Sequence, residues 1–258
     1  MIIDAHVHID IDGHEDKSVP ELLAAMDAAG IGHAMVFAAT ISRLLTETVL
    51  ARIAKHRDRL SAVGTVSPAR RGFVTPPETV ERWLADGSIR ALKFYTGYEH
   101  FYPNDERLRP YMELLVNYGR PAIFHMGDLY DKIPGAKLKY SQPLTVDDLA
   151  SEMPDLKIII AHLGYPWVTD AAEVCYKNPN VYADCSGFVY GDFTLKQRDH
   201  FREAWTTFDR ITESEGKILF GSDWPISHMP DYIELVGQLA GPHREQVFSG
   251  NAKKLFGL

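Results

Sequence analysis

Eight short runs of strand-forming residues recur along the chain at intervals of roughly 30 residues, the size of one strand-plus-helix unit. They read MIIDAHV, HAMVFAA, LSAVGTV, IRALKFY, PAIFHMG, LKIIIAH, NVYADCS and KILFGSD. Amphipathic stretches such as VPELLAAMDAAG, PPETVERWLADG and MPDYIELVGQLAG lie between them. Several of these end in glycine and several begin near Pro, Ser, Thr or Asp, as helices do. Continuous apolar strands alternating with helices predict a parallel sheet covered by helices. Eight such units in 258 residues favour a closed (β/α)8 barrel, which typically takes about 250 residues. No GxGxxG or Walker loop follows the first strand, which removes the usual nucleotide-binding reading. No linker or composition break divides the chain, so residues 1–258 read as a single domain. The longest irregular stretch, 127–142 after the fifth strand, becomes a loop at the catalytic face of such a barrel.

A formal net charge of −8 argues against a broad nucleic-acid-binding face, because phosphate contacts want clustered Lys and Arg. Two cysteines, Cys175 and Cys185, cannot build a disulfide framework, and no CxxC pair is present. Both read as buried thiols of a reducing compartment. The N-terminus lacks a basic region followed by an apolar one, and no apolar run approaches the ~18 residues of a membrane span. The expectation is a cytoplasmic protein with no membrane partner; assembly into a homo-oligomer stays open.

Barrel active sites sit at the C-terminal ends of the strands, so polar residues that end a strand are the candidates. His6 and His8 close the first strand, and their i, i+2 spacing puts both imidazoles on one face. Taken alone, the pair suits either a divalent metal or hydrogen-bonded core positions. Lys93 stands late in strand four, His125 ends strand five, His162 ends strand six and Asp223 ends strand eight. These residues span more than two hundred positions and meet on one ring only if the barrel closes. Neutral imidazoles with a carboxylate suit zinc and other borderline divalent ions. That convergence favours a metal.

DAHVH, FHMGD, AHLG, GSDWP and the closing NAKKLFGL together resemble the amidohydrolase superfamily, in particular its amidohydrolase-related branch of metal-dependent hydrolases, lactonases and non-oxidative decarboxylases. The resemblance runs from the first strand to the last helix. It implies that His6, His8, His125 and Asp223 hold a single divalent metal, zinc with manganese as the alternative. His162 is then the acid/base or water-orienting residue beside it. In binuclear relatives the histidines of strands five and six hold a second metal, bridged by a carboxylated lysine from strand four, which leaves Lys93 ambiguous. Lysine at this point is also common in the mononuclear branch, where it serves as a substrate contact or a structural ion pair.

Aromatic residues follow several strands: Tyr95, Tyr98 and Tyr102 with His100 after strand four, then Tyr130, Trp167, Phe188, Tyr190 and Trp224. An apolar pocket with a few polar handles suits a small organic substrate, with Lys93, Tyr95, Tyr98, Tyr130 and Trp224 as the candidate contacts. His228 could also reach it, whereas His14, His33, His56, His200 and His243 read as incidental. The expected chemistry is attack of a metal-activated water on an amide, ester or lactone carbonyl, with Asp223 taking a proton and His162 serving the leaving group. The alternative is a non-oxidative decarboxylase of the same branch. TatD-like nucleases also begin with HxH, but carry a glutamate where this chain has Lys93; a barrel that binds without turnover is the remaining class.

Overall fold

A parallel strand buried on both faces needs apolar partners inside and outside the sheet, and closing the sheet on itself supplies both. The computed structural model describes residues 1–10, 18–68, 70, 72–189, 191, 193–213 and 215–258. His14 and Tyr190 lie outside the described residues. The strands are β1 (Ile2–Val7), β2 (Ile31–Phe37), β3 (Leu60–Thr65), β4 (Ile89–Phe94), β5 (Ala122–Phe124), β6 (Ile158–Ile160), β7 (Val181–Asp184) and β8 (Ile218–Leu219). The helices between them are α1 (Val19–Ala29), α2 (Thr46–Ile53), α3 (Pro77–Ala85), α4 (Arg109–Asn117), α5 (Thr145–Glu152), α6 (Val168–Lys177) and α7 (Leu195–Thr212). Helices α8 (Met229–Ala240) and α9 (Asn251–Phe256) follow the last strand.

Every neighbouring pair from β1 to β8 is parallel and consecutive. This is the (β/α)8, or TIM, barrel that the eightfold alternation predicts. Closure between β8 and β1 is made by backbone bonds: Ala5 N–H donates to Phe220 O at 2.9 Å, Asp223 N–H to His6 O at 2.9 Å and His8 N–H to Trp224 O at 2.7 Å. Inside the barrel Ile3, Ala5, Met35, Phe37, Val63, Ala91, Ile123, Ile159, Tyr182 and Leu219 form one core. A second, larger core lies between the strands and the helices. Both free cysteines are buried, and no helix among the described residues is long and apolar enough to cross a membrane.

The inner core shows how the strand ends are aimed. Ala91, Ile123 and Tyr182 point into the barrel, so two residues further on Lys93, His125 and Asp184 face the axis as well. In β1 the parity changes. Ile3 and Ala5 join the inner core, but Val7 and Ile9 join the outer one, because the register of β1 against β2 shifts between Asp4 and Val7. A bulge of this kind turns the following residues to the other face. His6 and His8 therefore point inward.

Candidate metal centre

Each side chain at this end of the barrel is placed by a local backbone device. His162 lies beyond β6 in a left-handed conformation, φ 62° and ψ 30°, where straight continuation of the strand would point it outward. Asp223, four residues beyond β8, is also left-handed at φ 61°, a conformation Asp tolerates better than most residues. Its loop is pinned to β1 from below: Asp4 Oδ1 accepts the amides of His6 at 3.1 Å and Ser222 at 3.0 Å. The barrel closure and the placement of Asp223 are thus one structure.

His6 is the hub. Its ring stacks on Phe37 at 4.1 Å with 4° between planes, and its Nδ1 lies 3.0 Å from Asp184 Oδ2. A carboxylate can only accept, so Nδ1 carries the proton and Nε2 presents its lone pair. His162 is held in the same sense, with Nδ1 3.2 Å from the Ser186 carbonyl oxygen and 2.9 Å from Ser186 Oγ. Asp184 Oδ1 receives the amides of His162 and Ser186, each at 3.1 Å, and the Ser186 hydroxyl. One buried carboxylate thus sets the orientation of both histidines.

Asp223 Oδ1 lies 3.4 Å from His8 Nε2 and 3.9 Å from His6 Nε2, yet among the described residues it accepts no hydrogen bond, and neither His8 Nδ1 nor Lys93 Nζ has a hydrogen-bond partner. His6, His8 and Asp223 place one ligand atom each within 4.8 Å of one another, as do His6, His162 and Asp184. His125 stands beside His162, their rings 4.9 Å apart, but its Nε2 is 2.9 Å from the Asp128 carbonyl oxygen. The chain folds back there because Asp128 N–H donates to Tyr165 O and Gly127 N–H to Ser141 O, both at 2.7 Å. The predicted ligand His125 is therefore at the site but engaged with its own loop, not gathered with His6, His8 and Asp223.

Burial keeps the imidazoles of His6, His125 and His162 neutral, which is the form that can ligate a metal or take up a proton. It draws His6 down to about 4 and His125 well below the usual histidine range, and lowers His162 as well. For the two carboxylates burial works upward, but the imidazoles outweigh it. His8, His6 and His162 hold Asp223 low, and His6, followed by His162 and Lys93, holds Asp184 low. Lys93, 1% exposed, is brought down to about 8 by burial; its amine sits 5.4 Å from the Phe37 ring centre and 5.6 Å from that of Tyr95.

The aromatic candidates divide. Tyr98 is half-buried, its ring 4.7 Å from His125, and its hydroxyl accepts the amide of Tyr130 at 2.9 Å. Tyr130 itself is exposed and Trp224 is buried. Tyr95 is buried with its hydroxyl donating to Ala38 O at 2.9 Å. His228 is exposed and pairs with Asp231 at 2.9 Å, so it joins no group at the centre. Sequence reading passed over Asp184, although it ends the NVYAD run by the same strand-end rule that selects the histidines. It also passed over Glu99, a buried carboxylate that receives the hydroxyls of Thr40 and Ser67 and ties together the loops after β2, β3 and β4. Ser186 carries no signal of its own in sequence.

Gly187 closes the floor beside these groups. A Cβ there would stand 2.5 Å from His162 Nδ1 and 3.2 Å from Asp223 Oδ2, on a backbone with φ of +80°. Gly187→Ala is expected to push His162 out of place and cut kcat/KM by at least about tenfold, since a 1 Å misplacement can cost up to 10²-fold. Steady-state rates beside a thermal melt check this; unchanged rates would show that the His162 ring position is immaterial.

A TIM barrel that gathers buried imidazoles and carboxylates around the C-terminal mouth of its strands defines the class. The chain belongs to the amidohydrolase family, whose model matches residues 3–258. No curated protein matches the sequence. Among solved structures it is similar to an Acinetobacter baumannii protein described as a probable 2-pyrone-4,6-dicarboxylic acid hydrolase, at 16% identity and TM-score 0.74 over 100% of this chain and 99% of the other. A zinc-bound amidohydrolase from Burkholderia multivorans aligns at 16% identity and TM-score 0.75 over 100% and 99% of the two chains. The 5-carboxyvanillate decarboxylase of Sphingomonas paucimobilis aligns at 14% and 0.72 over the same shares.

Proposed function

We propose that this chain is a metal-dependent hydrolase that adds water to an amide, ester or lactone carbonyl of a small organic substrate. One observation carries the reading: Asp223 Oδ1 is buried without a hydrogen bond among the described residues and faces the Nε2 atoms of His6 and His8. An anionic oxygen in that state is costly unless a cation joins it, and the two imidazole lone pairs suit a divalent ion. His6, His8 and Asp223 would hold one such ion, zinc or alternatively manganese, and His125 would complete the set by giving up its bond to Asp128. When bound, the ion polarises the carbonyl and lowers the pKa of water.

The protein's own groups then have distinct tasks. Asp223, held ionised, takes a proton from the attacking water. His162, its Nδ1–H held by Ser186, receives that proton at Nε2 and passes it to the leaving nitrogen or oxygen as its bond to the carbonyl carbon breaks, which leaves Asp223 ionised and His162 neutral again. Asp184 keeps His6 in the required tautomer directly and holds Ser186, which does the same for His162. Tyr98, its ring beside His125, and the exposed Tyr130 bonded to it would meet the substrate, whereas Trp224 is packed in the outer core and Tyr95 presents its ring to the Lys93 amine. The buried free thiols agree with a cytoplasmic setting.

A second reading, non-oxidative decarboxylation, is favoured by Lys93, whose buried amine has no hydrogen-bond partner among the described residues and suits a substrate carboxylate. Product analysis on a panel of lactones, esters, amides and aromatic carboxylates separates the two. The hydrolase reading expects the ring-opened or cleaved acid without CO₂, activity lost on chelation and restored by zinc. Stoichiometric CO₂ release would replace it with the decarboxylase, and turnover indifferent to chelation would remove both.

A further inference from the structure

The opposite end of the barrel holds a cleft of about 240 Å³, smaller than the ~300–1,000 Å³ of ordinary organic-ligand pockets. It is bordered by Arg57 in the turn before β3, Ser61 at the start of β3, the turn Asp86–Gly87–Ser88 and Arg90 at the start of β4. Both guanidinium groups lie against the same glycine. Arg57 Nη2 donates to Gly87 O at 3.2 Å, and a Cβ on Gly87 would stand 3.9 Å from Arg90 Cζ and Nη2.

Neither arginine forms an ion pair among the described residues. Asp86 also lines the cleft; its carboxylate accepts from Ser88, the amide at 2.8 Å, and is held low by Ser88 and by the nearby charge of Arg57 without forming an ion pair. Ser61 Oγ is oriented by buried His33, whose Nε2 is 2.9 Å away. Further cations crowd the same end. Burial and the nearness of Arg90 push Arg120 down; burial, Arg120 and Lys254 do the same to Lys157. Arg120, Lys157 and Lys254 likewise lack carboxylate partners among the described residues. In a chain with a net charge of −8, two guanidinium groups at one small polar cleft, with further cations at the same end of the barrel, make a local positive field that suits an anion.

We propose that this cleft binds a small phosphate-class oxyanion, free or as the phosphoryl group of a metabolite, between Arg57 and Arg90 with Ser61 as a further donor. Paired guanidinium forks suit tetrahedral oxyanions through charge-assisted bonds. The site lies outside the metal centre and does not depend on the reaction proposed there.

The test is calorimetric titration of the whole chain with inorganic phosphate and, separately, glycerol 2-phosphate, with ionic strength held constant by sodium chloride. One saturable equivalent with a Kd of about 1 mM or tighter is expected for at least one ligand. Arg57→Gln and Arg90→Gln should each weaken it at least about tenfold, the scale of one charged hydrogen bond. Tighter binding of the ester would show that the phosphoryl group arrives on a metabolite; tighter binding of phosphate, that it arrives free. Binding that does not saturate, that nitrate reproduces, or that survives in the Arg57→Gln/Arg90→Gln double variant would mean an adventitious ion only and would overturn the site. Retained turnover in both variants, read in parallel, separates this outcome from any failure of the metal centre.

Discussion

Asp223→Asn should lower turnover by at least about 10²-fold, the scale of losing a general base, and should weaken metal binding in the same protein. The amide keeps the shape of the side chain and one oxygen, but loses the charge that faces His6 and His8 at 3.9 and 3.4 Å. His162→Asn should lose as much turnover yet retain its metal. His162 Nδ1 is committed to Ser186, and its task is proton delivery. The two variants therefore agree in rate and differ in metal content. A His162→Asn protein purified without metal would move His162 into the ligand set, where its approach to His6 and Asp184 already allows it. An Asp223→Asn enzyme with full metal and unchanged rate would remove Asp223 as the base.

His6→Ala or His8→Ala should reduce metal affinity beyond the 10–100-fold typical of residues that merely orient a ligand. Stability should fall far less, because β1 is held by Ile3, Ala5, Val7 and Ile9, all buried. The two substitutions are not equivalent. His6 also anchors Asp184 and stacks on Phe37, so its loss leaves a buried carboxylate unpaired and lowers the melting temperature more than loss of His8. Metal titration and thermal melts on both variants check this. Undiminished metal affinity in either would mean that the HVH pair is not a ligand pair.

The barrel was legible because its signal is repeated: each apolar run implies a buried parallel strand, and eight of them fill the sheet. The strand-end rule likewise led to His6, His8, Lys93, His125, His162 and Asp223. What the rule could not give was the local backbone. Alternation alone gives His6 the opposite parity to Ile3 and Ala5, and only the register shift after Asp4 turns it inward. His162 and Asp223 reach the axis through left-handed residues, which no periodicity announces. The turn that gives His125 to the Asp128 carbonyl depends on contacts between loops far apart in sequence. Asp184 was visible by position but was overlooked beside the histidines. Its role as the shared orienter of His6 and His162 emerges only when β1, β6 and β7 stand together.

Metal content of the gently purified native protein, measured by atomic emission against protein concentration, tests the central claim most directly. About one equivalent of zinc or manganese per chain is the result predicted, because one set of strand-end ligands makes one catalytic metal site with a position left for water. Two equivalents together with a carboxylated Lys93 would contradict the mononuclear assignment, and a protein that neither carries nor binds a divalent ion would contradict the metal centre itself.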